Sequence, residues 1–199
     1  MIDLSIQNIA DIISVLSPLL VTFLLVMITL INQNLKGLVY LSGILVASFV
    51  NLILGYTLRS KKYENASPLC DFMEPPFIKD FNVPLSSATF HAFTLAYMIF
   101  PMYDTKKVNV PLIVALVLFI LIDSARKFKN RCTNIKGIIS GLVLGGLLGS
   151  VWYAIFKYNG HDSLLYYSEF QSNNVQCSRP SDQKFKCTVY QNGQVISEL

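Results

Sequence analysis

Apolar residues fall in five long runs, at roughly Ile12–Ile31, Leu38–Leu58, Val83–Tyr103, Val108–Ile122 and Ile138–Phe156. Crossing a hydrocarbon core of about 30 Å takes about 20 helical residues. Four runs reach or nearly reach that length, and the fourth does so when Ser124 and Ala125 are counted. In lipid every backbone polar group must be paired within its own segment, so each run is expected to be a helix. The alternation of a membrane β-barrel is absent. The prediction is an all-α integral membrane protein, with a five-helix transmembrane bundle over residues 1–156 and an extramembrane tail over 157–199.

The tail carries a separate signal. Asn192-Gly193 sits between short apolar stretches, the strongest short-range mark of a hairpin. Strands are expected at Lys184–Tyr190 and Gln194–Ser197 as a small C-terminal β-hairpin. Two strands alone are marginal in water, so the hairpin should rest on a disulfide, the membrane face or a partner.

Composition agrees with the pattern: 53% of residues are hydrophobic and 14% charged, against about 25% charged in soluble proteins. Met1–Asp11 has two acids and no Lys or Arg, which is the wrong start for a cleavable signal peptide. The first run is therefore expected to stay as a helix. The net charge of +4 comes from bases beside membrane ends, where they set orientation or meet headgroups. No nucleic-acid partner is expected.

Successive crossings divide the connections between two ends. The A end holds the N-terminus and the loops Arg59–Asn82 and Asp123–Lys136; the B end holds two short turns and the tail. Arg59, Lys61, Lys62, Lys79, Arg126, Lys127, Lys129, Arg131 and Lys136 lie at the A end. Only Lys36, Lys106, Lys107 and Lys157 lie near the membrane at the B end. The positive-inside rule makes the A end cytoplasmic. On that orientation the sequon Asn65-Ala66-Ser67 stays unmodified, and a glycan there would invert the topology. Cys70 and Cys132 lie at the A end, Cys177 and Cys187 at the B end. An oxidising B end would let Cys177 and Cys187 staple the hairpin; the alternative is two free thiols. No Cys-x-x-Cys pair or nearby His suggests a metal, and no cofactor is expected.

Gly137, Gly141, Gly145 and Gly149 repeat every four residues and form one stripe on the last helix, with Gly146 beside it. Small residues at that spacing let helix backbones approach closely in lipid. Packing within the chain is the expectation, a homo-oligomer the alternative. Asn51 should bond a neighbouring helix. Pro18 and Pro101 should mark kinks or helix ends.

At the A end, Arg59 closes the second run, Ser86 and Ser87 open the third, Arg126 closes the fourth and Lys136 precedes the fifth. Arg59, Arg126 and Lys136 could meet on an anion beside the helix N-terminus at Ser86 and Ser87, where free N–H groups and the helix dipole favour phosphate. The plainer reading is ordinary border bases and a serine cap.

This order resembles the type 2 phosphatidic acid phosphatase (PAP2) superfamily over about residues 38–156. Members include lipid and polyprenyl-diphosphate phosphatases. Their motifs are Lys, six residues, Arg-Pro; then Pro-Ser-Gly-His opening a helix; then Ser-Arg, five residues, His, three residues, Asp, followed by a Gly-rich helix. Arg59 fits the first arginine, with Leu52 for the lysine and Ser60 for the proline. Ala88 or Ser87 stands for the second-motif histidine. Arg126 fits the third motif, but Ala125 precedes it, Cys132 replaces the histidine and Lys136 the aspartate. The family usually has six spans; five are counted here.

The family's chemistry resembles phosphoryl transfer between two histidines. This chain has two histidines in all. His91 lies about a turn inside the third run and His161 beyond the fifth, at the opposite membrane end. They cannot share one phosphate, because a helix of ~20 residues separates the ends by about 30 Å. His91 and Cys132 remain as nucleophile candidates; a polar core residue and a structural substitution are the plainer readings.

The expectation is a catalytically inactive PAP2-like protein with a structural or interaction role. It would keep a lipid-phosphate pocket at Arg59, Ser86, Ser87, Arg126 and Lys136. Its partners would be membrane lipids and other membrane or capsid proteins met through the tail. An endoplasmic-reticulum-derived membrane or the internal membrane of a virion would suit its style. The alternative is a lipid or polyprenyl-diphosphate phosphatase with a non-standard nucleophile. A transporter is disfavoured because no ionisable residue is read deep within a run.

Overall fold

The computed structural model describes residues 6–61, 63, 65–67, 70, 82–165, 188–191 and 194–198. Among these, five α-helices account for most of the chain: α1 (Ile6–Ile31), α2 (Lys36–Leu58), α3 (Ser86–Asp104), α4 (Val110–Lys129) and α5 (Ile135–Tyr158). A 3₁₀ turn at Asp162–Leu164 follows, then two short strands, β1 (Thr188–Gln191) and β2 (Gln194–Glu198). The strands pair antiparallel, with Gln191 opposite Gln194 and a register shift after Val189. Cys177 and Cys187 lie outside the described residues.

Helices α1, α2 and α5 are long and apolar enough to cross a membrane. Helices α3 and α4 fall short by composition. α3 carries Ser86, Ser87, Thr89, His91, Thr94 and Asp104, and α4 carries Asp123, Arg126, Lys127 and Lys129. Position explains α3. It touches each of the other four helices and buries Ala88, Thr89, His91, Ala92, Phe93, Thr94, Tyr97 and Met98. A helix enclosed by others need not be apolar all round.

Helix ends follow local chemistry. Asn109 caps α4 by accepting a hydrogen bond from the Leu112 N–H, and Asn134 caps α5 by accepting from the Gly137 N–H at 2.7 Å. Each satisfies an N–H that has no partner within its helix. Arg59 closes α2 in the left-handed conformation, φ 48°. Pro18 lies within α1 and Pro101 within α3. Proline lacks the N–H that would bond the carbonyl four residues back. For Pro18 that carbonyl is Ser14's, and the Ser17 hydroxyl donates to it instead, at 3.1 Å.

The tightest packing is between α3 and α5. Gly137, Gly141, Gly145 and Gly149 are all buried and face successive turns of α3 and the segment before it. A methyl group at position 141 would lie 2.6 Å from the Leu85 carbonyl oxygen, and one at 149 would lie 2.5 Å from that of Phe93. At 145 it would overlap the Thr89 carbonyl, and at 137 the Asn82 carbonyl and the Thr133 hydroxyl. Gly146, beside the stripe, meets nothing. The stripe thus serves contact within the chain.

Between α3 and α2, Tyr40, Phe93 and Tyr97 form a buried aromatic group, with Tyr40 and Tyr97 centroids 5.8 Å apart. Tyr40 Oη and Thr94 Oγ1 are hydrogen-bonded at 2.7 Å. At the B end Trp152 Nε1 donates to the Val39 carbonyl. Tyr153 donates to Asp104, which also pairs with Lys157. Leu165 tucks into the core.

Replacing Gly145 with Val forces α3 and α5 apart, whereas Gly146→Val adds a methyl-bearing side chain to open space. Thermal unfolding in detergent should show a loss of about 1–3 kcal/mol or more for the first, as for overpacked cores, and little change for the second.

Candidate functional site

The A end gathers polar side chains from α1, α3 and α4 in three tiers. Outermost, Arg126 donates from Nε and Nη2 to the Asp11 carboxylate at 2.7 and 2.5 Å. Asn130 Nδ2 donates to the same carboxylate at 2.9 Å. A two-pronged guanidinium–carboxylate contact is among the stronger charge-assisted bonds. One tier inward, Asp123 accepts from Ser14 Oγ at 2.7 Å and from Ser87 Oγ at 2.6 Å. Deeper still, Ser17 Oγ lies 3.0 Å from His91 Nε2.

Asp123 corrects the sequence reading. The apolar run ends at Ile122, and the sequence alone places Asp123 in the loop that follows. In fact α4 continues to Lys129, and Asp123 is only 1% exposed. The helix continues because its last turns are two-faced: Asp123 and Lys127 turn inward, while Ala125 and Phe128 stay exposed. An ionisable residue does therefore lie within the helical bundle, held by two serine hydroxyls.

His91 is also 1% exposed. Its ring stacks on Phe119 and meets Phe90 edge-on. Because Ser17 directs its proton to the Ser14 carbonyl, His91 Nε2 is best placed as the donor to Ser17. That leaves Nδ1 as a bare acceptor, and it has no partner among the described residues. His91 is thus a polar core residue tied to a neighbouring helix. Asn51 behaves likewise: its Nδ2 donates to Ser86 Oγ at 3.1 Å, and its Oδ1 accepts from Thr89 Oγ1 at 3.0 Å.

Cys132 has no thiol. It is disulfide-bonded to Cys70, with Cα atoms 5.3 Å apart, so it is not available as a nucleophile. This bond joins the loop after α2 to the turn between α4 and α5. Two further contacts accompany it: the Ser67 N–H donates to the Asn130 carbonyl, and Thr133 Oγ1 donates to the Asn82 carbonyl. The Leu85 N–H donates to the Gly137 carbonyl, fixing the start of α3 against α5.

The five residues expected to hold a phosphate are distributed as follows. Ser86 and Ser87 lie inward, engaged with Asn51 and Asp123, and Arg126 lies in the outermost tier, engaged with Asp11. Arg59 and Lys136 are exposed. A separate cavity of about 410 Å³ at the same end is lined by Tyr63, Phe128, Lys129, Arg131 and Thr133. Among the described residues no cluster of His, Cys, Asp and Glu could hold a metal.

Sequence reasoning missed Asp11 and Asp123. The available signal was the spacing Asp11, Ser14, Ser17, one polar stripe along α1 at three-residue intervals.

Fold and site together define a helical protein with three helices able to cross a membrane and a polar, disulfide-linked A end. Comparison with protein-family models, curated proteins and solved structures returns no match.

Removing either partner of the Asp11–Arg126 contact leaves a half-buried charge unmatched. Asp11→Ala and Arg126→Ala should each lower stability in detergent, and the double variant should be less destabilised than their sum. The expected coupling is about 0.5–3 kcal/mol. Cys70→Ser should expose one new thiol, at Cys132, to maleimide after denaturation without reductant, detected as one added label by intact mass.

Proposed function

We propose that the chain is a multi-pass membrane protein with five crossing helices and a PAP2-like helix order, serving as a non-catalytic scaffold. Its A end would hold an anionic lipid headgroup, and its C-terminal hairpin would meet a partner protein. One observation carries this reading: both nucleophile candidates, and a serine and an arginine of the expected phosphate site, are engaged in holding the helices together. Cys132 is bonded to Cys70, His91 is buried against Ser17 and Phe119, Ser87 donates to Asp123, and Arg126 is held by Asp11. Arg126 and Ser87 already face carboxylates, Asp11 and Asp123, which a phosphate would have to displace.

The outer face of α4 supports its reading as a span, since Val114, Val117, Leu118 and Leu121 are exposed as lipid-facing side chains would be. For lipid phosphate, the cavity with Lys129 and Arg131 fits better than the inner serines. It offers two cations beside the exposed ring of Phe128, an arrangement suited to a headgroup at the membrane border.

Detergent-purified protein should release no phosphate from phosphatidic acid or a polyprenyl diphosphate; turnover that disappears in His91→Ala would overturn the proposal. In native mass spectrometry with short-chain phosphatidic acid, Lys129→Ala and Arg131→Ala should each weaken lipid retention about fivefold, the equivalent of about 1 kcal/mol. Lys106→Ala, at the B end, should leave it unchanged.

A further inference from the structure

Orientation can be read from covalent chemistry rather than from charge. The Cys70–Cys132 disulfide lies at the A end and joins two separate connections, 62 residues apart in sequence. Disulfides persist in oxidising compartments and are rare where glutathione and thioredoxin keep thiols reduced. Five residues before Cys70 stands Asn65-Ala66-Ser67, the single Asn-x-Ser/Thr triplet in the chain. Asn65 is exposed at a turn beyond the end of α2. The Ala66 N–H donates to the Tyr63 carbonyl and the Ser67 N–H to the Asn130 carbonyl, so the triplet lies over the end of α4 and not between helices.

We infer that the A end faces the lumen or the exterior, and that Asn65 is the acceptor of an N-linked glycan. The positive charge at that end argues otherwise only if its bases are free to report topology, and two of them have structural positions. Arg126 pairs with Asp11 and Lys127 is buried. In the modification, the Asn65 side-chain nitrogen bonds to C1 of an oligosaccharide carried on a polyprenyl diphosphate. The sugar C1–oxygen bond breaks, the amide gives up one proton, and the polyprenyl diphosphate leaves. Both tail strands then lie at the reducing end, where a Cys177–Cys187 bridge is not expected.

The test uses the full chain expressed in mammalian cells. Wild type should show one mobility step removed by peptide N-glycosidase, and Asn65→Gln and Ser67→Ala should each lose it. Gln194→Thr creates an acceptor triplet at Asn192, in the tail at the opposite end, and should add no second step. A wild type without glycan, or a step that survives Asn65→Gln, overturns the assignment of Asn65. A glycan gained by Gln194→Thr overturns the orientation.

Discussion

The close approach of α3 and α5 is the constraint on which the other contacts depend. Four glycines on α5 bring its backbone against the carbonyls of Leu85, Thr89 and Phe93. Between apolar helices in lipid no hydrophobic driving force draws helices together, so van der Waals contact and hydrogen bonds must do it. Side chains at those four positions would hold α3 outward. With glycine there, α3 sits deep enough for α1, α2 and α4 to close over it, and its serines, threonines and histidine find partners on all sides.

That placement decides what the polar residues of the A end can do. A hydroxyl or carboxylate buried among apolar helices is costly unless it is hydrogen-bonded. Ser14, Ser87 and Asp123 satisfy one another, as do Asn51, Ser86 and Thr89. The same arrangement that stabilises the bundle makes these groups poor catalysts, since a nucleophile or a phosphate ligand must be free to change partners. Lys129 and Arg131 lie further out, exposed beside the cavity.

The helices themselves were legible in the sequence, because runs of apolar residues at this length leave few alternatives. So was the glycine stripe, whose four-residue spacing admits only one helix face. Asn51 and His91 were legible as polar residues that bond a neighbouring helix, though not which helix. The end of α4 was not legible: a charge ended the apolar run, but the backbone needs only an inward face for Asp123 and an outward one for Phe128 to continue. The Asp11–Arg126 contact was hidden for a related reason. Asp11 reads as a polar leader before an apolar run, and its partner lies 115 residues away. Cys70–Cys132 was not legible because its two cysteines stand in separate connections, 62 residues apart, with no local spacing to pair them.

The contacts of α1 also set an order of events during synthesis. This helix is made before the four that follow it, yet the partners of Asp11, Ser14 and Ser17 are Arg126, Asp123 and His91. Until the third and fourth helices have been made, its polar stripe lacks these partners and must turn to water or to its own carbonyls. Assembly is therefore delayed: the first of these five helices to be made is among the last to find its place, and chains ending before α4 would leave Asp11 and Ser14 without their partners.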